Sequence, residues 1–397
     1  MSNPLALLPL ALAAGGGRVD QFEAQQLVAA GLTLLQRSAP LVRALSGRRA
    51  ALLLPTAPAF ITALAASEGH GAVLIDPTAT AAEIAFQCGD ASVGAICTTS
   101  AFVARLPAEL PFVLLDDAPR SARVVANGVA KEVDLGSHHG LSLEGERDVA
   151  GRDEEAAIVY TGSTRGSLLG AVLTHANLLA NARATVEAFA NTADDHVLAL
   201  LPFAHLFGLT LTASAPLIAG ARVTTMDPFH ATTAASRLVT DVTQVVGVPA
   251  TFHALLGAMA ERRLDPRGGT LRLCVCVRDR AGDELTVELQ DRWAEATGVE
   301  LRQGYGLAEA APMCLFNRVD RPNVRGTLGY RYPGVEVAIF AGEICVRGPN
   351  VFRGYLHGSE SGRRVLDGWL RTGDRGVANA DGTVTLATPA GAPPSAR

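Results

Sequence analysis

The chain has 397 residues, of which 48% are hydrophobic, and a formal net charge of −5 at pH 7. Its length and apolar content are enough for more than one hydrophobic core, so we expect two or three subdomains. Acidic and basic residues are dispersed, which excludes a basic face for nucleic acid or an anionic membrane, and no stretch has the roughly 18 uninterrupted apolar residues that a membrane span needs.

The six cysteines are scattered, and most of them stand inside apolar runs. This usage is typical of a reduced, cytoplasmic protein with inert thiols rather than of a disulfide framework. Cys274 and Cys276 share one face of a predicted strand, but no second Cys or His pair stands at zinc spacing, so core positions are favoured over a metal site. The apolar stretch at residues 4–14 lacks a preceding Lys or Arg, and we expect it to be a packed N-terminal segment rather than a secretory signal.

Strands and helices alternate in the first part of the chain. Helical apolar spacing covers residues 19–45, and the elements that follow are a strand at 50–54, a helix at 57–66, a strand at 72–75, a helix at 82–87 and a strand at 93–98. Such alternation predicts a parallel sheet covered on both faces. Residues 117–154 are rich in Gly, Ser, Asp, Arg and His, and we predict an exposed connection there.

Residues 156–178 are the stretch with the clearest chemical meaning. An apolar run at 156–160 predicts a buried strand, the small and hydroxylated residues 161–166 a tight loop, and Thr174 the cap of a following helix. Backbone N–H groups and hydroxyls of such a loop can surround a phosphate. On these residues alone, a plain turn between strand and helix is the alternative.

The rest of the chain predicts two further units. A helix at 175–190, a strand at 197–201 and another alternation through 245–260 indicate a second doubly wound unit, and short strands with glycine turns after residue 326 indicate a small β-barrel. The predicted class is therefore α/β, with two doubly wound αβ subdomains plus a small β-barrel. The predicted units are residues 1–150, 151–325 and 326–388, followed by a disordered tail at 389–397 that is rich in Pro, Ala, Gly and Ser.

The loop at 156–178 resembles the phosphate loop of the acyl-adenylate-forming, or AMP-binding, superfamily, which includes acyl-CoA synthetases and other AMP-dependent ligases. The family's loop runs Y-T-S-G-T-T-G-x-P-K-G-V and is followed by T-H-x-N-L. The positions that agree are Tyr160, Thr161, Thr164, Gly166, Gly170, Thr174, His175, Asn177 and Leu178. The departures are Gly162-Ser163 in place of Ser-Gly, Arg165 in place of Thr and Leu168-Leu169 in place of Pro-Lys, so the loop lysine is absent.

Three further motifs carry the same resemblance. His205 matches the ring that flanks the carboxylate in the family's L-P-x-x-H-x-x-G segment. Residues 303–309 resemble G-Y-G-x-T-E, in which the Tyr stacks on adenine and the Glu holds Mg²⁺, with Ala308 in place of the Thr. Asp374 ends a D-G-W-x-x-T-G-D match, where the Asp bonds the ribose hydroxyls. A fourth segment departs, because residues 277–283 are bulky and charged where the family has a G-G-A-P loop beside adenine.

The resemblance implies ATP or AMP, Mg²⁺ and CoA as cofactors and a small carboxylic acid as substrate. The implied catalytic residues are Glu309, His205 and Thr161, with Glu309 as the metal ligand. The implied nucleotide-binding residues are Thr161, Ser163, Thr164, Arg165, Gly166, Gly304, Tyr305 and Asp374.

The implied reaction joins a fatty or aromatic carboxylate to AMP, with release of pyrophosphate, as a step toward a thioester. The resemblance covers residues 20–386, the family's large N-terminal part. The family's mobile C-terminal domain and its catalytic lysine have no counterpart here, and the single lysine, Lys131, is a poor substitute. We therefore expect a partner that supplies this domain, or an acyl carrier protein. Two alternatives stay open, an ATP-independent acyl transferase between CoA and a carrier protein and a non-catalytic partner of a complete ligase.

Overall fold

The computed structural model describes residues 7–136, 153–162, 168–278, 285–358 and 364–387. Within these ranges the chain forms two sheets with helices on their faces, which confirms the predicted α/β class. No helix in the described ranges is both long and apolar enough to cross a lipid bilayer.

The helices are short to medium in length. Their bounds are α1 (Leu8–Ala14), α2 (Ala24–Arg37), α3 (Ala39–Leu45), α4 (Pro58–Ala66), α5 (Ala81–Asp90), α6 (His175–Phe189), α7 (Ala215–Ile218), α8 (Ala231–Leu238), α9 (Pro249–Arg262) and α10 (Val287–Thr297), with 3₁₀ turns at Ser100–Arg105 and Ala308–Ala310 and a π-helix at Gly208–Ser214.

The strands fall into two sets by position in the chain. The first set is β1 (Arg18–Val19), β2 (Phe22–Glu23), β3 (Arg49–Leu53), β4 (Ala72–Leu74), β5 (Val93–Thr98), β6 (Phe112–Leu114), β7 (Ser121–Ala126), β8 (Val129–Asp134), β9 (Glu155–Gly162), β10 (Leu168–Thr174), β11 (His196–Ala199) and β12 (Arg222–Thr225). The second set is β13 (Gln244–Gly247), β14 (Leu273–Val277), β15 (Leu301–Gly306), β16 (Met313–Phe316), β17 (Gly329–Arg331), β18 (Glu336–Phe340), β19 (Glu343–Arg347), β20 (Gly354–Tyr355), β21 (Val365–Leu366), β22 (Trp369–Ala378) and β23 (Thr383–Leu386).

The first sheet runs in the order β20-β10-β9-β4-β3-β5-β6-β7-β8, and its centre from β9 to β6 is parallel. Alternate residues of β3 belong to different cores. Ala50 and Leu52 pack into one cluster, whereas Ala51 and Leu53 pack into another. The strand is therefore covered on both faces, as the strand and helix alternation predicts.

The second sheet runs in the order β18-β19-β22-β23-β17-β16-β15-β14-β13-β11-β12-β1-β2, with β21 beside β22. Its parallel part, from β15 to β1, is the second doubly wound unit. Cys274 and Cys276 lie in the core between this sheet and its helices, so their predicted core role is confirmed. All six cysteines are buried thiols, and burial raises the pKa of Cys97 to about 12.

Most antiparallel strands of the third predicted unit pair with one another and then continue into the second sheet through β17 and β16, whereas β20 pairs with β10 of the first sheet. Two pairings cross the boundary predicted at residue 150. Strands β9 and β10 follow it in the chain but belong to the first sheet, and β1 precedes it but pairs with β12 of the second. The division of the chain at residues 150 and 325 stays a prediction.

Two local predictions are wrong. Residues 117–154 are not all an exposed connection, because β7 and β8 form a hairpin closed by Asn127 and Gly128, whose φ angles of 51° and 73° suit a tight turn. The phosphate-loop segment does not pass directly into a helix, because β10 runs back along β9 before α6 begins. The predicted tail at 389–397 lies outside the described residues. Buried helix α1 covers most of the predicted N-terminal segment.

Candidate active site

The candidate site lies where the carboxyl ends of parallel strands from both sheets meet. In open α/β sheets this edge is where ligands bind, because loops there can present side chains without disturbing the strands. Thr161 is near the end of β9, Asp76 follows β4, and His205 follows β11. Glu309 follows β15 and completes the set.

Glu309 lies in the 3₁₀ turn after β15. The chain reverses tightly here, since a Cβ on Gly306 would lie 2.0 Å from the carbonyl oxygen of Pro312. This reversal leaves Glu309 only 5% exposed. The Tyr355 hydroxyl donates a hydrogen bond of 2.6 Å to Glu309 Oε1, and the Phe352 amide donates one of 2.8 Å to the Glu309 carbonyl. The carboxylate is thus buried but hydrogen-bonded, as a buried acidic group must be.

Tyr305 and Asp374 contact each other. The Tyr305 hydroxyl donates to Asp374 Oδ2 at 2.8 Å, and the two residues are 3% and 9% exposed. Burial, together with the charge of Asp374, raises the pKa of Tyr305 well above its usual range. The residues expected to stack on adenine and to bond ribose are therefore adjacent, and a ribose hydroxyl would share the Asp374 carboxylate with Tyr305.

Gly304 also lies in β15, and it is closely packed. A Cβ at this position would lie 2.7 Å from the methyl group of Met313. A side chain at this position would require only the flexible end of Met313 to move, and a part for Gly304 in nucleotide binding stays a prediction.

The hairpin of β9 and β10 carries the phosphate-loop residues. Thr161 pairs with Leu169 and is half-buried. Ser163, Thr164, Arg165 and Gly166 lie outside the described residues. Because α6 begins only after β10, the N-terminus of α6 does not follow the β9 and β10 turn directly, as it would in a strand, loop and helix arrangement.

His205 connects the edges of the two sheets. Its Nε2 lies 3.2 Å from Oδ2 of Asp76, and its side chain is 46% exposed. The hydrogen bond from His205, followed by those from Thr78, holds the pKa of Asp76 well below its usual range, although burial opposes this. The π-helix that follows lies beside the Glu309 turn, since the Thr210 hydroxyl donates to the Ala311 carbonyl at 3.3 Å.

A magnesium ion fits the chemistry of this site only as part of a nucleotide complex. The described residues contain no group of three or more His, Cys, Asp or Glu side chains that could hold a metal. Mg²⁺ commonly binds through one or two carboxylates while phosphates and waters supply its other ligands, so a single Glu309 is sufficient. Lys131 is exposed on β8, at the opposite edge of the first sheet from β10, and cannot replace the missing loop lysine.

Comparison with known proteins identifies the family. The sequence model of the AMP-binding enzyme family matches residues 41–356. The chain belongs to this family. The long-chain-fatty-acid–CoA ligase of Salmonella typhimurium is 28% identical over 385 residues, covering 86% of this chain and 67% of that protein.

One further sequence relative and one solved structure are also similar to this chain. The 4-coumarate–CoA ligase-like 3 of Oryza sativa is 30% identical over 367 residues, covering 83% of this chain and 61% of that protein. The crystal structure of the N-terminal domain of FACL13 from Mycobacterium tuberculosis superposes with a TM-score of 0.78 at 20% identity, covering 96% of this chain and all of that domain. The predicted fold, that of a large N-terminal part of an adenylate-forming enzyme, is confirmed.

Two residues of the site escaped the sequence prediction. Tyr355, the partner of Glu309, lies among the residues after 326 that we assigned only to the β-barrel, and Asp76, the partner of His205, has no motif around it. Nothing in the sequence marks Asp76 except its place directly after a buried strand.

Proposed function

We propose that this AMP-binding family member activates a monocarboxylic acid as its acyl-adenylate, for later transfer to a thiol such as that of CoA. The observation that carries the proposal is the buried Glu309 beside the phosphate-loop hairpin and the Tyr305 and Asp374 pair. A substrate carboxylate oxygen attacks the α-phosphorus of ATP, a new P–O bond forms, and the bond to pyrophosphate breaks.

Each candidate residue has a proposed part in this reaction. Glu309 would hold Mg²⁺, which supplies positive charge for the phosphates. Tyr305 would pack against adenine and Asp374 accept the ribose hydroxyls. His205 would lie beside the carboxylate. Hydroxyls and N–H groups of the loop would bind the phosphates through Thr161, Ser163, Thr164, Arg165 and Gly166.

The proposed substrate is a fatty or aromatic monocarboxylate. Residues near the Glu309 turn and after His205 are apolar, and these are Phe207, Leu209, Ala308 and Ala310. Arg or Lys is missing from this set, so nothing in it would neutralise a second carboxylate. The names of the relatives, a long-chain-fatty-acid–CoA ligase and a 4-coumarate–CoA ligase-like protein, agree with both options.

A second candidate function is that of a non-catalytic partner of a complete ligase. Two observations favour it. Tyr305 already occupies one oxygen of the expected ribose ligand Asp374, and the family's loop lysine is replaced by Leu169. An ATP-independent acyl transferase is the third option, and it predicts binding of an acyl-CoA in the absence of ATP.

The deciding experiment is carboxylate-dependent release of pyrophosphate from ATP and Mg²⁺, with a panel of fatty and aromatic acids. Glu309→Gln should abolish the release, whereas Glu295→Gln, on the exposed face of α10, should not change it. If the folded wild-type chain releases no pyrophosphate with any acid of the panel, the stand-alone activity is refuted. The panel is then repeated with acyl-CoA and with a C-terminal domain added as a separate chain, which tests the two other options.

We also propose a cytoplasmic location. The support is that all six cysteines are buried thiols, as is usual in a reducing compartment.

A further inference from the structure

Residues 349–356, which we name the strap, run between the phosphate-loop hairpin and the Glu309 turn. On one side the strap extends the first sheet. Gly354 and Tyr355 of β20 pair with Val172 and Ala171 of β10, and the Leu356 amide donates to the Gly170 carbonyl at 2.8 Å. The strap is therefore fixed to the outer strand of the hairpin that carries the phosphate loop.

On its other side the strap is bonded to the turn. The Asn350 side-chain amide donates to the Ala310 carbonyl at 2.8 Å, and the Phe352 amide donates to the Glu309 carbonyl at 2.8 Å. The Tyr355 hydroxyl then donates to the Glu309 carboxylate itself at 2.6 Å. Backbone and side chain of Glu309 are thus both held by the same short segment.

The ring of Tyr355 is clamped. It packs edge-on against Phe352 with ring centroids 4.9 Å apart and an interplanar angle of 76°, and both residues are buried. A buried ring in an edge-to-face pair has little freedom to rotate, so the direction of its hydroxyl is set by the strap. The position of β10 therefore determines where that hydroxyl lies.

We infer that Tyr355 is a positioning residue that couples the phosphate-loop hairpin to the Glu309 carboxylate. The inference rests on the proposed function, in which Glu309 holds Mg²⁺. Holding one carboxylate oxygen stops rotation of the group and keeps its other oxygen available for the metal. In this role Tyr355 acts through the Glu309 carboxylate, to which it donates its hydrogen bond.

The first test is Tyr355→Phe, with Tyr330→Phe on β17 as the matched control. We measure the Mg²⁺ concentration that gives half of the ATP-induced rise in melting temperature, and half of the pyrophosphate release at saturating ATP. Loss of a hydrogen bond to a charged group should raise both concentrations roughly ten-fold for Tyr355→Phe, with kcat at saturating Mg²⁺ changed much less. The control should match wild type.

A double-mutant cycle makes the test specific. In the Glu309→Gln background, Tyr355→Phe should add no further loss of Mg²⁺-dependent stabilisation, because the carboxylate that it orients is gone. An equal loss in both backgrounds, or a wild-type Mg²⁺ dependence for Tyr355→Phe, would overturn the inference.

Failure of the proposed function is separable from failure of this inference. If the wild-type chain neither binds Mg²⁺ with ATP nor releases pyrophosphate, the proposed function fails. The coupling between the phosphate-loop hairpin and the Glu309 turn is then measured by amide hydrogen exchange. Tyr355→Phe should then speed exchange at the Phe352 amide and along β10 together, with no change in β7 and β8. Faster exchange at residue 352 alone would overturn the coupling.

Discussion

At the scale of single residues, the bond between Tyr305 and Asp374 leads to a prediction that separates its structural role from nucleotide binding. Tyr305→Phe keeps the ring but removes the donor to a buried carboxylate, so the free energy of unfolding should fall by about 1–3 kcal/mol. The affinity for ATP should not fall, because a ribose hydroxyl no longer competes with Tyr305 for Asp374. Asp374→Asn should weaken ATP binding.

Urea unfolding and calorimetric titration with ATP measure the two effects separately. Tyr330→Phe serves as the control for removal of a tyrosine hydroxyl outside the site. An equal loss of ATP affinity in Tyr305→Phe and Asp374→Asn would show that the hydroxyl itself is needed for binding, contrary to this account.

Sequence motifs marked the candidate residues of the site, but they did not mark the side chains that contact these residues. Glu309, Tyr305 and Asp374 stand in recognisable local patterns. The partner of Glu309, Tyr355, lies 46 positions further along, and the partner of His205, Asp76, lies 129 positions away. Such pairs form only when strands that are distant in sequence come close in the fold, and a local sequence pattern does not show which strands do so.

At the scale of elements, the buried parallel strands were predicted well, but the antiparallel strands at the sides of the first sheet, such as β8 and β10, were not. A strand such as β5, buried along its whole length, appears as a continuous apolar run. Exposed strands lack such a run, as in β8, where mainly Val133 is buried. The Asn127-Gly128 pair was the available signal for the β7 and β8 hairpin, and it was hidden within a polar segment. Strand β10 was missed because its neighbours in sequence suggested a loop that leads into a helix.

The start of α6 provides a test of how elements are joined. Asn177 forms a capping box with Thr174, and its side-chain amide also donates to the Pro349 and Val351 carbonyls at 2.8 and 2.9 Å. Asn177→Ala should lower the free energy of unfolding by about 2 kcal/mol or more, since it removes a cap and leaves two carbonyls of the strap without this donor.

The matched control for Asn177 is Glu83→Ala, which removes the same capping-box position at the exposed start of α5. It should cost less than Asn177→Ala, because it removes a capping contact alone and no bond to the strap. Urea unfolding of both variants gives the comparison. Equal losses would mean that the bonds to the strap contribute nothing to stability.

At the scale of the whole molecule, the N-terminal helix α1 is held against the centre of the fold by a histidine. His175 is buried, and its Nδ1 accepts a hydrogen bond of 3.2 Å from the Leu8 amide at the start of α1. His175 is also the first residue of α6, so its ring lies at the positive ends of two helices. The hydrogen bond requires a neutral imidazole with an unprotonated Nδ1, because a proton on Nδ1 would displace the Leu8 amide.

Stability should therefore fall as the solution becomes acidic. Burial lowers the pKa of His175 to about 4 from the ordinary value near 6.5, and the charge of Glu154 opposes this only in part. Between these two values the unfolded chain binds the proton and the folded chain does not, so the free energy of unfolding decreases as pH falls. At pH 4 the titration of His175 should have lowered the free energy of unfolding by about 3 kcal/mol. Above pH 7 its contribution to the free energy of unfolding no longer changes with pH.

The measurement is urea unfolding of wild type and His175→Gln at pH values between 4 and 7. Glutamine can accept the Leu8 amide through its side-chain oxygen but does not titrate. His70 and His196 also have lowered pKa values because of burial. Both residues are present in the wild type and in the variant, so their effects cancel in the difference between the two unfolding free energies. The wild type should lose more stability than the variant as pH falls through this range, and the difference should level off above pH 7. Parallel curves would mean that His175 is not the group that makes the attachment of α1 sensitive to acid.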